Sequence, residues 1–127
     1  MPRVTYDATK GLIQEDKTGN GFVMGTETKN GTTAATPGVA CTLSTTTAAL
    51  SLAAGAVVGQ LKWFISTTAN DVVITPASTA GAYATVTLTN IGDSCCVMWT
   101  GSGWALISRM SGAAQGATAV VDLPVVA

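Results

Sequence analysis

An alternation of apolar and polar residues late in the chain constrains the fold more than any other feature. The alternation covers Thr85–Ile91, resumes over Cys95–Thr100 and returns over Trp104–Met110. A period of two is that of a strand with one face buried. Glycine-containing turns at residues 92–93 and 101–103 separate the three segments, and glycine tolerates the positive φ that tight hairpins need. The pattern therefore predicts a three-stranded meander.

Further strand signals precede this meander. They lie at Val39–Ser44, Ala49–Leu52, Val57–Ser66 and Val72–Thr75, at intervals of roughly ten residues. Short strands at such spacing are typical of a sandwich or a barrel. The sequence therefore predicts an all-β fold, a small antiparallel β-sandwich or barrel with an extended N-terminal arm.

One face of each predicted strand is expected to form the core. In Val57–Ser66 the more apolar alternate set is chosen as the inward one, which places Lys62 outward. Trp99 and Trp104 lie within alternating strands, so core packing is favoured over a sugar-stacking platform. The predicted core residues are Leu61, Trp63, Ile65, Val86, Leu88, Val97, Trp99, Trp104 and Leu106.

Charge is distributed unevenly along the chain. Residues 1–29 hold eight charged residues and the remaining 98 hold five, although a soluble domain normally carries charge on about a quarter of its positions. The charge-poor part therefore either relies on Thr, Ser, Asn and Gly for solubility or covers its surface with neighbours. The predicted organisation is an N-terminal arm at 1–31, a linker at 32–38, a β-body at 39–110 and a tail at 111–127 with strand-like pieces suited to exchange between copies.

The composition disfavours several kinds of function. The chain has no histidine, which removes the usual general base and the commonest metal ligand. The net charge of −1 and scattered basic residues do not suggest a nucleic-acid site. No apolar run reaches the roughly 18 residues of a membrane span, and the start of the chain lacks a signal-peptide pattern. We expect no catalysis, cofactor, metal, nucleic-acid partner or membrane partner.

Three cysteines, Cys41, Cys95 and Cys96, match no metal-binding spacing. Because Cys95 and Cys96 are adjacent on a predicted strand, their side chains should point to opposite faces. Buried free thiols are the expected state. A bridge from Cys41 to one of the other two is the alternative.

Two stretches of the chain, residues 55–78 and 86–108, carry a recognisable arrangement. Gly59-Gln60 opens a strand, Val73–Pro76 follows, Gly92-Asp93 makes a turn, and Trp99 and Trp104 bracket a glycine-containing turn. This arrangement resembles a β-rich module of tailed-bacteriophage structural proteins, found in capsid decoration (cement) proteins and in head or tail fibres. The charged opening, residues 4–22, also resembles the N-terminal arm of small head proteins.

The resemblance implies a viral structural protein, a homotrimer that binds the major capsid protein lattice and stabilises the head. It would lie on the outer capsid surface of the virion and be assembled in the host cytoplasm. Two alternatives stay open. One is a receptor- or glycan-binding fibre tip with Trp99, Trp104 or Tyr83 exposed, and the other is a minor tail or baseplate adaptor.

The arm is the expected attachment device. Its apolar residues come in two short clusters ringed by mixed charge, and four apolar side chains per run cannot build a core alone. A local hairpin around Asn20-Gly21 and an extended peptide laid on another protein are both compatible with this pattern. The hypothetical capsid-binding residues are Tyr6, Leu12, Ile13, Lys17, Phe22 and Val23.

Overall fold

The computed structural model describes residues 3–7, 11–15, 24–112 and 125–127, the first two ranges as backbone only. These residues form strands and no helix, which confirms the all-β class. β1 (Arg3–Asp7) and β2 (Gly11–Glu15) make an antiparallel hairpin. The other strands are β3 (Thr26–Lys29), β4 (Thr33–Ala35), β5 (Cys41–Ser44), β6 (Ala48–Leu52), β7 (Leu61–Ser66), β8 (Val72–Pro76), β9 (Val86–Leu88), β10 (Ser94–Trp99), β11 (Trp104–Met110) and β12 (Val125–Val126).

Ten strands form two five-stranded sheets. The first sheet has the order β11-β10-β7-β5-β3, and the second has the order β12-β9-β8-β6-β4. From β3 to β8 the chain alternates between the sheets, so β3, β5 and β7 are parallel, as are β4, β6 and β8. The remaining pairings are antiparallel. The predicted antiparallel arrangement is thus corrected to a mixed one. The predicted three-stranded meander is also wrong, because β9 pairs with β8 and β12 in the second sheet, while only β10 and β11 pair with each other in the first.

Threonine-rich loops, which we call corners, connect the strands of one sheet to those of the other between β3 and β8. Hydrogen bonds between these corners explain why this part of the chain forms a coil. The corners after β3 and β5 stack, because the Gly31 amide donates to Thr46 Oγ1 over 3.0 Å and the Thr45 amide donates to the Lys29 carbonyl over 3.3 Å. The corner after β7 continues the stack, since both the amide and the hydroxyl of Thr67 donate to the Ser44 carbonyl over 2.8 Å. Each turn of the chain is therefore held by the turn beside it.

The sheets begin before the predicted β-body does. β3 lies within residues 1–31, assigned to the arm, and β4 lies within residues 32–38, assigned to the linker. Both are edge strands whose sequences, TETK and TAA, lack the large apolar residues that mark a strand in a single sequence. Their pairing with β5 and β6 comes from the coil. At the other end β12, at the end of the tail, pairs with β9 of its own chain.

The core lies between the two sheets. The second sheet contributes buried aliphatic side chains from β6, β8 and β9, including the predicted Val86 and Leu88. The predicted Val97, Trp99 and Trp104 are buried against them from the first sheet, and Leu106 is partly buried at the margin. The full set of buried apolar core residues is Ala35, Ala48, Leu50, Leu52, Phe64, Val72, Ile74, Val86, Leu88, Cys95, Val97, Trp99 and Trp104.

The alternation of β7 has the phase opposite to the predicted one. Lys62 and Phe64 point inward and are buried, while Leu61 is 49% exposed and Trp63 and Ile65 are only half-buried. The three residues predicted as core from this strand therefore lie on the outer side of the first sheet. The physical reason is that the Lys62 ammonium finds a full set of acceptors inside, so its burial is compensated.

The two tryptophans of the last hairpin pair directly across it. The rings of Trp99 and Trp104 lie 5.5 Å apart between centroids at a 60° tilt, and Trp104 Nε1 donates to the Ala53 carbonyl over 2.9 Å. Gly103 is buried in the turn before β11. A Cβ there would lie 2.6 Å from the Thr79 carbonyl carbon, so the close backbone approach requires glycine.

Candidate interaction surface

The outward-facing side chains of the first sheet form the most distinctive surface of the molecule. Register and alternation place them in three rows across the strands. The middle row contains Cys41, Trp63 and Cys96, and Trp63 lies on the central strand β7. We call this surface the outer face of the first sheet. It comprises Thr26, Thr28, Cys41, Leu43, Leu61, Trp63, Ile65, Ser94, Cys96, Met98, Ala105, Ser108 and Met110.

Charged side chains are absent from this outer face, as far as the described strands extend. Glu27 and Lys29 of β3 pair with Thr42 and Ser44, which are buried on the inner side. Lys62 of β7 also points inward. On β11 the charged Arg109 pairs with Cys95, a core residue, so it too lies on the opposite side from the outer face.

Exposed apolar residues continue the outer face at its ends. Val57 and Val58, in the loop before Leu61, are 68% and 69% exposed. At the β11 edge Ile107 and Met110 are also exposed, and a register shift in the pairing of β10 with β11 places Ile107 at a bulge. Exposed apolar groups on a sheet face frequently belong to interaction sites.

The thiols confirm the predicted free and buried state. Cys41 and Cys96 lie on the outer face on either side of Trp63, and both are nearly inaccessible. Their backbones are two strand spacings apart, about 9.6 Å, which is too far for a disulfide. Cys95 faces the core, where burial, with a smaller contribution from Cys96, raises its pKa to about 12. Burial also raises the pKa of Cys41 and Cys96.

The outer face of the second sheet is also uncharged in the described strands, but it carries smaller side chains. Ala49, Val73, Thr87 and Val125 form one outward row, with Ser51 and Thr75 beside it. A shallow depression of about 410 Å³ opens there, with Thr32, Thr33, Ala34, Ala49, Leu50, Ser51 and Thr75 as its lining. No titratable side chain lines it.

A buried ionic network closes the interior at the β3 side. The Lys62 ammonium donates to Glu27 Oε1 over 3.0 Å, to the Thr36 carbonyl over 3.0 Å and to the Val39 carbonyl over 2.8 Å. Glu27 Oε1 also accepts from the Thr36 amide over 2.8 Å and from Thr42 Oγ1 over 2.6 Å. Lys29 pairs with the other carboxylate oxygen over 3.1 Å. The network joins β3, β5 and β7.

Both charges of this network have shifted pKa values. Burial would raise the pKa of Glu27, but hydrogen bonds from Thr42, Thr36 and Lys62 outweigh it and hold the pKa well below the usual range. Burial lowers the pKa of Lys62, and the hydrogen bond and charge of Glu27 partly offset that effect. The Lys62 ammonium has three acceptors within the protein, which is the arrangement of a structural network.

Asp93 plays a similar internal role in the turn between β9 and β10. Its Oδ2 accepts from the amides of Thr89 and Asn90 over 2.9 and 3.0 Å, and its Oδ1 accepts from the Gly112 amide over 2.8 Å. The carboxylate is fully buried. It ties the turn to the end of β11, as expected of aspartate at a turn position.

The six hypothetical capsid-binding residues lie outside the part of the chain whose side chains are described. The backbone of Tyr6 on β1 pairs with that of Leu12 on β2, and Ile13 pairs with Thr5. Residues 8–10, between the two strands, lie outside the described residues, as do Asn20-Gly21 and the remaining predicted contacts Lys17, Phe22 and Val23. The hairpin brings Tyr6 and Leu12 into register.

Other chemistry is limited in the described ranges. They contain no cluster of three His, Cys, Asp or Glu side chains placed to hold a metal ion. No helix of membrane-spanning length and apolarity occurs in them either. Neither protein-family models nor curated protein sequences give a match to this chain.

The outer face was not anticipated from the sequence, although one signal pointed to it. The run from Val57 to Ser66 has apolar residues in both phases, since Val58 and Phe64 alternate with Leu61, Trp63 and Ile65. A strand that is apolar on both sides is typical of burial on both sides. The assignment of Leu61, Trp63 and Ile65 to the core considered the residues of only one side of the strand.

Proposed function

We propose that this chain is a structural protein of a tailed-bacteriophage virion, a homotrimeric decoration protein that binds the outer surface of the capsid and stabilises the head. Its role is non-enzymatic and uses no cofactor. Its partners are copies of itself and the major capsid protein lattice.

One observation supports the assembly part of this proposal above all others. The outer face of the first sheet is apolar and carries no charge in the described strands, with Trp63 at its centre. In a single chain Leu61 and Met110 of this face are exposed and Trp63 is half-buried, whereas an assembly buries them at little cost in desolvated charge. The resemblance in residues 55–78 and 86–108 supplies the kind of assembly.

The N-terminal segment is the proposed attachment device. It holds much of the chain's charge, and the structure separates its hairpin, β1 with β2, from the two sheets in hydrogen bonding. Three such segments on one trimer would bind as a unit and raise avidity well above the affinity of one. This accounts for a segment with few apolar residues acting as an anchor.

The fibre-tip alternative is less well supported by the described side chains. Trp99 and Trp104 are buried against each other in the core and offer no stacking platform. Tyr83 is half-buried, and its hydroxyl donates to the Trp104 carbonyl over 2.7 Å. All three platforms on which that alternative depended are thus engaged within the protein.

Deletion of residues 2–23 tests the proposal. The deletion stops before β3, because removing Glu27 would unbalance the buried Lys62. The truncated and full-length proteins are incubated with capsids of the encoding phage that lack their own copy, and binding is measured by co-sedimentation. We expect the full-length protein to bind in many copies per particle and the truncated one to remain folded but unbound.

Two results would contradict parts of the proposal. If the full-length protein does not bind these capsids, the decoration function is wrong. If the truncated protein binds as tightly as the full chain, the β-body makes the contact and the N-terminal segment is not the anchor.

A further inference from the structure

We infer that the outer face of the first sheet is the surface through which copies of this chain meet around a three-fold axis, with the Trp63 side chains closest to that axis. The three-fold order rests on the proposed function. The choice of this face rests on the structure.

The size of the face fits an interface between copies. The five strands hold 27 residues, each covering about 4.8 Å by 3.3 Å, so the face covers about 430 Å² in projection. Three such faces turned toward a three-fold axis together cover about 1,300 Å², which lies in the range of a specific protein interface. Val57, Val58 and Ile107 at its ends extend this area.

The absence of charge favours an equally uncharged occupant, and a second copy of the chain supplies one. A membrane surface or a nucleic acid would be met by Lys and Arg side chains around the contact, and none points outward from the described strands of this face. A strongly charged protein partner would find no complementary group. Two uncharged apolar faces have no like charges to repel each other, so self-association loses nothing in electrostatics.

The centre of the face has the composition of an interface centre. Trp63 lies on the central strand, flanked in its row by Cys41 and Cys96, with Leu61 and Ile65 two residues away on either side. Threonine and serine occupy edge positions such as Thr26, Thr28 and Ser108. A large aromatic residue at the centre with neutral polar residues at the margin is the usual anatomy of a stable interface.

A charge placed on each outer face tests the inference. Leu61→Lys introduces a charge at an exposed position of the first sheet, where it does not disturb the core. Ser51→Lys is the matched control, because it introduces the same charge at an exposed position on the outer face of the second sheet. Both are compared with the full-length chain by analytical ultracentrifugation, and circular dichroism confirms that each variant is folded.

We expect the wild type and Ser51→Lys to sediment as trimers. In Leu61→Lys three charges would be buried at once, so the dissociation constant should rise by about 100-fold or more. If Leu61→Lys and Ser51→Lys remain equally trimeric, the face is wrong although the trimer stands. If the wild type is monomeric at all concentrations, the proposed trimer itself is wrong. A wild-type dimer that Leu61→Lys dissociates supports the face and contradicts the three-fold order.

A fluorescence measurement on the unaltered face provides an independent test. Trp63 is half-buried, whereas Trp99 and Trp104 are buried in the core, so dissociation should change the exposure of Trp63 alone. Acrylamide quenching of the wild type should increase on dilution below the dissociation constant. The same dilution of Trp63→Phe should leave quenching unchanged. Equal quenching of the wild type at all concentrations that span dissociation would overturn the inference.

Discussion

Replacing Glu27 by Gln should measure what the buried ionic network contributes to stability. The substitution keeps the side-chain shape and an oxygen that can accept from the Thr36 amide and Thr42 Oγ1. It removes the negative charge that Lys62 Nζ contacts at 3.0 Å. Lys62 is fully buried, so its charge would be left with neutral acceptors only, namely the amide oxygen at position 27 and the two backbone carbonyls at 3.0 and 2.8 Å.

The expected cost follows from the position of Lys62. Removing one partner of a buried pair typically costs about 3–5 kcal/mol, and the neutral acceptors that remain around Lys62 place this case near 3 kcal/mol. For a chain of 127 residues that corresponds to a fall in Tm of about 10–15 °C. Lys29→Met is the control, because it removes the partly exposed partner of the same carboxylate and should cost less than about 1 kcal/mol.

The pH dependence gives the prediction a second readout. The pKa of Glu27 is lowered in the folded state, so its stabilising contribution is fully present above the unfolded value near 4.5 and is lost as the pH falls toward the folded value. The difference between the wild type and Glu27→Gln should therefore be constant above about pH 5 and shrink below about pH 4. Urea denaturation at fixed protein concentration measures both. A variant as stable as the wild type at pH 7, or a difference that does not shrink in acid, would refute this account.

Three further outcomes are expected. Gly103→Ala should destabilise the fold by more than about 2 kcal/mol, because the added Cβ would meet the Thr79 backbone. Gly38→Ala is the control, since no atom lies within 4 Å of a Cβ there, and it should be nearly neutral in thermal unfolding. Asp93→Ala should lower the free energy of unfolding by about 2–4 kcal/mol, because three backbone amides lose their acceptor. Urea denaturation measures this loss, and an unchanged urea midpoint would contradict it. Cys95 should react with a thiol reagent only as fast as the protein unfolds, because it is buried and its pKa is raised to about 12; rapid labelling, located by peptide mapping of the native protein, would disagree.

The sequence was most informative where the strands pair locally. The hairpin of β10 and β11, its glycine turn and the inward Trp99 and Trp104 follow from alternation and turn chemistry within a short stretch. Local patterns do not determine the coil from β3 to β8. Its parallel pairs join residues far apart in sequence, and its corners depend on hydrogen bonds between successive turns of the chain.

The outer face of the first sheet could not be predicted from the sequence for a related reason. Hydrophobicity alone assigned Leu61, Trp63 and Ile65 to the core and Lys62 to solvent. The actual phase depends on Glu27, 35 residues earlier, which lies in a segment that looked like an arm. Only a tertiary partner makes a buried lysine acceptable, and a single sequence does not identify that partner.

The position of Glu27 and Lys29 on an edge strand has a consequence for aggregation. Parallel coils of this kind end in strands with unpaired backbone groups, and β3 presents such an edge at one end of the first sheet. A strand of another molecule that paired with β3 would place its inner side chains beside Glu27 and Lys29. It would also remove water from Lys29, which is partly exposed. Inward-pointing charge on an edge strand is a known obstacle to sheet extension. The network that holds Lys62 therefore also limits end-to-end stacking of the coils into fibrils.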